Sequence, residues 1–313
     1  MPTESAAAPD PVDLPDSLEA AEPFDVPGPE ALAPVPLVAS PPKHGRAGRD
    51  VRLATIVGLS LAAVVLVSLF TEPVVFVGVV VVAVVLGSWE LAGALSTRGY
   101  AVPLPPVMVG AAAMVVAAYV GTSESLVVAL SLTVIAVLGW RLTGPLDAFR
   151  RDAAAGVLVT MYLPLLAAFA VLLLQPDDGR ARVLSFIVLV VCSDLAGFIA
   201  GVQLGKHPMA PTVSPKKSWE GFAGSVIACV IAGEVIMLWR FDGTWWQGAA
   251  LGVSAACSAT LGDLGESLIK RDLGVKDMSS LLPGHGGIMD RLDSLLATAP
   301  VVWALLTQFA PPS

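Results

Sequence analysis

The sequence predicts an all-α, polytopic integral membrane bundle of about nine transmembrane helices, preceded by a disordered acidic, Pro-rich tail. Three observations predict it. Hydrophobic residues fill 55% of the 313 positions and charged ones only 14%, with a mean hydropathy of +0.77, a combination that a water-soluble domain of this size would not tolerate. From residue 53 onward, apolar runs of 16 to 23 residues follow one another, near the roughly 20 residues a helix needs to cross the hydrocarbon core. Lipid satisfies no backbone polar group, so such runs must be helical.

The tail comes first. Residues 1–42 hold eight acidic side chains, no Lys or Arg, and 11 of the 25 prolines. A segment of that composition cannot bury enough apolar surface to offset its ordering entropy, so residues 1–50 are expected to be disordered. The opening is acidic and lacks the basic-then-apolar pattern of a secretory signal. The rest of the chain holds 18 acidic and 18 basic residues. The acidity therefore belongs to the tail, and with no basic face to collect phosphates, nucleic-acid binding is excluded.

The expected spans are 53–70, 73–95, 104–121, 125–142, 153–174, 183–205, 222–239, 246–261 and 294–310. Residues 51–182 carry the first five, and 183–313 form the region in which chemistry is expected. Cys192, Cys229 and Cys257 each lie within an apolar run and read as small core residues. No internal repeat is visible, which gives little support to an inverted-repeat transporter.

Orientation follows from Lys and Arg in the connections. With the N-terminus cytoplasmic, fifteen basic residues fall inside and only Arg180, Arg182 and Arg240 outside. Trp245 and Trp246 then mark the outer interface as aromatic-belt residues. The two long polar stretches, 206–221 and 262–293, face the cytoplasm, and an odd span count puts Ser313 outside. Chemistry on a cytosolic substrate belongs at that inner face.

Within 267–293 the chain reads Ser267, then Lys270-Arg271, Lys276-Asp277, Gly284-His285-Gly286-Gly287 and Asp290-Arg291-Leu292-Asp293. Glycines let backbone approach an oxyanion closely, so a phosphate could be cradled there, just ahead of the last helix. Asp290 and Asp293, spaced i, i+3, share a helix face, about 5 to 6 Å apart at Cβ. That spacing suits a shared divalent cation, or two cations about 3.5 to 4 Å apart. The bland alternative is a pair of helix-start aspartates complementing the macrodipole. Asp263, with Glu266 one turn on, adds carboxylates at the same membrane face. Their mutual repulsion demands either a cation or the nearby Lys270, Arg271, Lys276 and Arg291. Hard oxygen ligands favour Mg2+ over zinc.

Asp194, in Ser193-Asp194-Leu-Ala-Gly197-Phe198-Ile-Ala-Gly201, lies inside the sixth span. A mid-membrane aspartate costs roughly 2.5 to 3.5 kcal/mol on insertion scales, so it faces a polar cavity or a partner. Ser214-Pro215-Lys216-Lys217-Ser218-Trp219-Glu220-Gly221 offers two lysines in a Pro-stiffened loop. They suit a triphosphate or a lipid phosphate, although positive-inside flanking explains them equally well. His44 and His207 read as solvated, whereas His285, between glycines, is a candidate for phosphate contact or proton transfer. Glu90 and Glu234 are also expensive in lipid, and either snorkels or pairs.

The run from Ser267 to Asp293, with its Ser, Lys-Arg, Lys-Asp, His-Gly-Gly and Asp-Arg-x-Asp positions, resembles the signature of the phosphatidate cytidylyltransferases, or CDP-diacylglycerol synthases. Ser193 to Gly201 and Ser214 to Gly221 are similar to that family's upstream blocks, while the first half matches only by hydropathy. The resemblance implies transfer of CMP from CTP to phosphatidate at the inner face of the cell membrane, giving CDP-diacylglycerol and pyrophosphate for phospholipid biosynthesis. It implies Mg2+, and a second cation if two bind, held by Asp263, Asp290 and Asp293. His285, Lys270, Arg271 and Arg291 join those three in catalysis. Asp194, Ser214, Lys216, Lys217, Glu220, Gly286 and Gly287 fall to substrate binding, with the two lysines on phosphates. The partners implied are CTP, phosphatidate and the bilayer, and a homodimer is allowed without being specified. Two rivals stand beside it: a CTP-dependent lipid kinase of the polyprenol type, and a transporter with Asp194, Glu90 and Glu234 along its pathway.

Overall fold

The computed structural model describes residues 51–279, 281 and 286–311, with side chains from 56 onward. The tail at 1–50 lies outside those residues, as do Gly284, His285 and Ser313. Among the described residues the chain forms helices α1 (Val51–Thr71), α2 (Pro73–Ser96), α3 (Leu104–Val120), α4 (Ser123–Arg141), α5 (Phe149–Thr160), α6 (Leu166–Leu172), α7 (Gly179–Leu204), α8 (Trp219–Arg240), α9 (Trp245–Leu273) and α10 (Met289–Phe309). A π-helical turn at Met161–Leu165 joins α5 to α6. Pro164 inside it has no N–H to give to the helical ladder, so the turn widens there instead of ending the rod.

Helix starts follow their sequence signals. Pro73 occupies the first position of α2, and Thr122 with Ser125 and Thr244 with Gln247 form reciprocal capping boxes on α4 and α9. Among the described residues, six rods are long and apolar enough to cross a membrane: α2, α4, α5 with α6, α7, α8 and α10. Ile56–Thr71 and Leu104–Val120 are shorter apolar helices. Large side chains such as Val109, Ile135, Phe198 and Trp239 stand exposed on the perimeter, a surface that lipid rather than water tolerates. The protein is an all-α, multi-pass membrane protein.

Two elements differ from expectation. The stretch 206–221 contains an antiparallel pair, β1 (Pro208–Ala210) and β2 (Ser214–Ser218). A hairpin this short carries too few residues for an alternating pattern to stand out. The polar stretch beginning at 262 is not a loop at its start, because α9 continues to Leu273 and stops at Gly274 in the left-handed region, with φ of 71°. Asp263, Glu266, Lys270 and Arg271 therefore ride on a rigid helix.

Small residues set the helix packing around the site. A Cβ on Gly248 would lie 2.5 Å from Cα of Glu234, so α8 and α9 meet backbone to backbone. Gly221 faces Gly197 in the same way across α7 and α8, and Gly262 abuts the Asp293 carbonyl across α9 and α10. At the far end of α10, the buried Arg182 guanidinium donates to the carbonyls of Leu306 (3.1 Å) and Ala310 (2.5 Å) and pairs with Asp178. It caps the helix C-terminus, where cations are favoured.

Candidate active site

Helices α7 to α10 and the β hairpin enclose a cavity of about 720 Å³. Asp194, Ser214, Lys216, Lys217, Asp263, Lys270, Asp290, Arg291 and Asp293 all line it. Both polar stretches of the sequence thus close on one space. The convergence follows from the crossings above, because Gly262 brings the backbone of α9 against that of α10 at Asp293. Asp263, one residue on, and Asp293 therefore share the cavity.

The hairpin delivers the lysines. Ser218 Oγ accepts from the Gly221 N–H (3.1 Å) and caps α8, which leaves β2 running along the cavity rim. Lys217 Nζ reaches 2.6 Å from Asp263 Oδ2 and 3.4 Å from the Thr260 carbonyl. Lys216 is exposed at the rim. Glu220, expected to bind substrate, is not among the cavity's lining residues. Its carboxylate instead accepts from the N–H groups of Lys206 (3.1 Å) and His207 (3.2 Å), and pairs with His207 Nδ1 at 2.5 Å. It fastens the base of the hairpin, and His207, though exposed, is partnered. Arg271 also lies off the cavity, where its Nε donates to the Val213 carbonyl at the hairpin turn (3.2 Å).

Asp290 is the most heavily bonded acid of the site. Lys270 Nζ lies 2.6 Å from its Oδ1 and 2.7 Å from Glu266 Oε2. The N–H groups of Met278 (3.2 Å) and Gly287 (2.6 Å) donate to the same carboxylate. Gly286, at φ 80°, adopts a conformation L side chains rarely reach, and any Cβ there would strike Asp290. Neither Gly286 nor Gly287 lines the cavity. Of the amides expected to cradle a phosphate at these glycines, that of Gly287 is taken by the loop's own aspartate. His285 lies outside the described residues.

Asp263, Asp290 and Asp293 were expected to grip cations. They share the cavity, but no three His, Cys, Asp or Glu side chains among the described residues stand close enough together to hold an ion. The reason lies in their partners: Lys217 neutralises Asp263, Lys270 neutralises Asp290, and Asp293 accepts from the Ser294 N–H at 2.7 Å. Among the described residues the cavity's acids are all carboxylates and no thiol or imidazole lines the space, a donor set that hard divalent ions favour.

Several functional contacts were not read from the sequence. Glu266 is 1% exposed, and its Oε1 is buried without a hydrogen-bond partner. Ser294 Oγ donates to Asp194 Oδ1 (3.3 Å), joining α10 to α7. Glu90, from the first half of the chain, accepts from Ser279 Oγ (2.6 Å) and from the Met289 N–H (2.9 Å). Its signal was the cost of an acid in an apolar run, but no local pattern names a partner 189 residues away.

Comparison with known proteins gives the family. The model of the cytidylyltransferase family matches residues 52–309. A phosphatidate cytidylyltransferase of Mycobacterium bovis is 39% identical over 275 residues, 84% of this chain and 90% of the relative. That of Mycobacterium leprae is 39% identical over 278 residues, covering 84% and 89%. A Helicobacter pylori protein of the same name is 35% identical over 159 residues, 51% of this chain and 59% of the relative. The match runs through every helix that lines the cavity, and the chain belongs to the cytidylyltransferase family.

Proposed function

We propose that the chain transfers the cytidylyl group of CTP to phosphatidate, giving CDP-diacylglycerol and pyrophosphate. One observation carries this reading: a cavity that gathers lysines and carboxylates also opens onto Phe198 and Val202, apolar side chains of the α7 perimeter that are 69% and 70% exposed. A lipid headgroup can enter from that side with its acyl chains left in the bilayer, while a nucleotide enters from water.

A phosphatidate oxygen is already nucleophilic at neutral pH, so no activated serine or cysteine is needed. That oxygen bonds to the α-phosphorus of CTP, the bond from the α-phosphorus to the bridging oxygen breaks, and pyrophosphate leaves with its electron pair. The obstacle is repulsion between two anions. Lys216 neutralises the triphosphate, Lys217 joins it on leaving Asp263, and Arg291 faces the same space, so attacking and leaving oxygens can be held in line. Asp293 would hold Mg2+, with Asp263 joining it once Lys217 turns to the phosphates and Asp290 if Lys270 gives way. Bound there, the ion supplies further neutralisation of the phosphates. Nine membrane crossings, read from the apolar runs, and a cytoplasmic cavity and N-terminus, read from the excess of Lys and Arg on that side, complete the proposal.

The test is purified protein with phosphatidate and CTP labelled at one phosphorus. Label from the α position should enter the lipid. Transfer of γ label alone would turn the reading to a lipid kinase, and transfer of neither would end it.

A further inference from the structure

The chemistry of a nucleotidyl transfer could be housed in the second half of the chain, yet the segment that carries Asp290 is held from the first. Helix α2 reaches it at two places, and the turn after α2 reaches the end of α9 at a third. Arg98, just beyond the end of α2, donates from Nε to the Leu273 carbonyl at the close of α9 (3.1 Å). Glu90 accepts from Ser279 Oγ at 2.6 Å and, through its other oxygen, from the Met289 N–H at 2.9 Å. The space for a Cβ on Gly287 is filled by the same carboxylate, so a side chain there would displace Glu90.

Apolar packing anchors the flanks, where Met278 and Met289 are buried in the core, but at Ser279 and Gly287 the contacts to α2 are polar. On the α2 side of the loop lies a second cavity of about 300 Å³, lined by Glu90, Tyr100, Met278 and Ser279 among others. Beside that cavity Ser279 is tied to α2 by its hydrogen bond to Glu90. Glu90 is 3% exposed, and a buried carboxylate in an apolar helix is retained only where its bonds repay desolvation. Met289 opens α10, so a carboxylate on its N–H sits where a helix N-terminus favours negative charge. Asp290 is the next residue.

We infer that Glu90 is a positioning residue for the transfer reaction: its carboxylate bridges Ser279 and Met289, and so fixes where the first turn of α10 presents Asp290 and Asp293. The inference rests on the reaction proposed above. Its test separates the two.

The variants are Glu90→Met, which keeps the bulk and removes both acceptors, and Glu90→Gln. A glutamine can still accept from the Met289 N–H through its oxygen and donate to Ser279, whose hydroxyl rotates to receive it. With CTP and phosphatidate in detergent micelles, Glu90→Met should lower kcat by about 100-fold, the scale of a misplacement near 1 Å, with KM for CTP little changed. Glu90→Gln should recover most of that loss. Adding Ser279→Ala to Glu90→Met should cause little further loss, because both remove one contact. Independently of turnover, amide hydrogen exchange over 286–291 should accelerate in Glu90→Met, with α8 and α9 unchanged. Wild-type kcat and wild-type exchange in Glu90→Met would overturn the inference, as would equal damage from Met and Gln. A wild-type protein inert toward CTP would end the proposed reaction, while the exchange measurement would still decide whether Glu90 holds the loop.

Discussion

Lys270→Met asks whether one ammonium holds two buried acids together. Lys270 Nζ stands 2.7 Å from Glu266 Oε2 and 2.6 Å from Asp290 Oδ1, and those residues are 1% and 7% exposed. Methionine keeps the length of the side chain and removes the charge. Two carboxylates would then face each other in a cavity wall with a backbone amide pair on one and an orphaned oxygen on the other. Deleting one partner of a buried ion pair costs about 3 to 5 kcal/mol, because the remaining charge is left uncompensated. The loss should appear as a lower midpoint in thermal unfolding followed by tryptophan fluorescence in detergent. Adding Glu266→Gln to Lys270→Met removes one of the uncompensated charges and should restore at least half of the lost stability. The reasoning fails if Lys270→Met unfolds at the wild-type temperature, or if Glu266→Gln restores nothing.

Three further outcomes are expected. Asp293→Asn should cut turnover with labelled CTP by two orders of magnitude or more while the protein still inserts, and near-normal activity at saturating Mg2+ would count against a metal role. Chelation of divalent ions should abolish transfer in the wild-type protein and added Mg2+ should restore it, measured by the same label; unchanged turnover in chelator would remove the ion from the reaction. Gly262→Leu forces a side chain into the Asp293 carbonyl and Ala297, so it should destabilise by roughly 1 to 3 kcal/mol or more and reduce turnover as Asp263 and Asp293 separate. An unfolding midpoint equal to wild type would refute that crossing.

How much of this was legible beforehand can be traced residue by residue. The helices were, since a run such as Val74–Leu86 has one stable conformation in lipid, and their bounds in the structure fall close to those read from hydropathy. Asp290 and Asp293 were legible as one helix face because i, i+3 geometry is local, and Asp194 because an acid within an apolar run requires a partner. The extension of α9 to Leu273 was not: Glu266 reads as one turn beyond Asp263, but nothing local shows the helix running on through Lys270 and Arg271. The short hairpin was hidden by its length, and the occupation of the Gly287 amide by Asp290 by the resemblance of glycine-rich loops to phosphate cradles.

The sequence alone therefore determined the class of the protein, the places of its helices and which residues carry charge into the membrane, because hydropathy and helical periodicity act over a single turn or a single span. Only the tertiary structure decided the pairings. Lys217 with Asp263, Lys270 with Asp290, and Glu90 on Ser279 and Met289 all join separate elements. Such contacts depend on where glycines let helices cross, and a crossing is a property of two surfaces that no single stretch of chain contains.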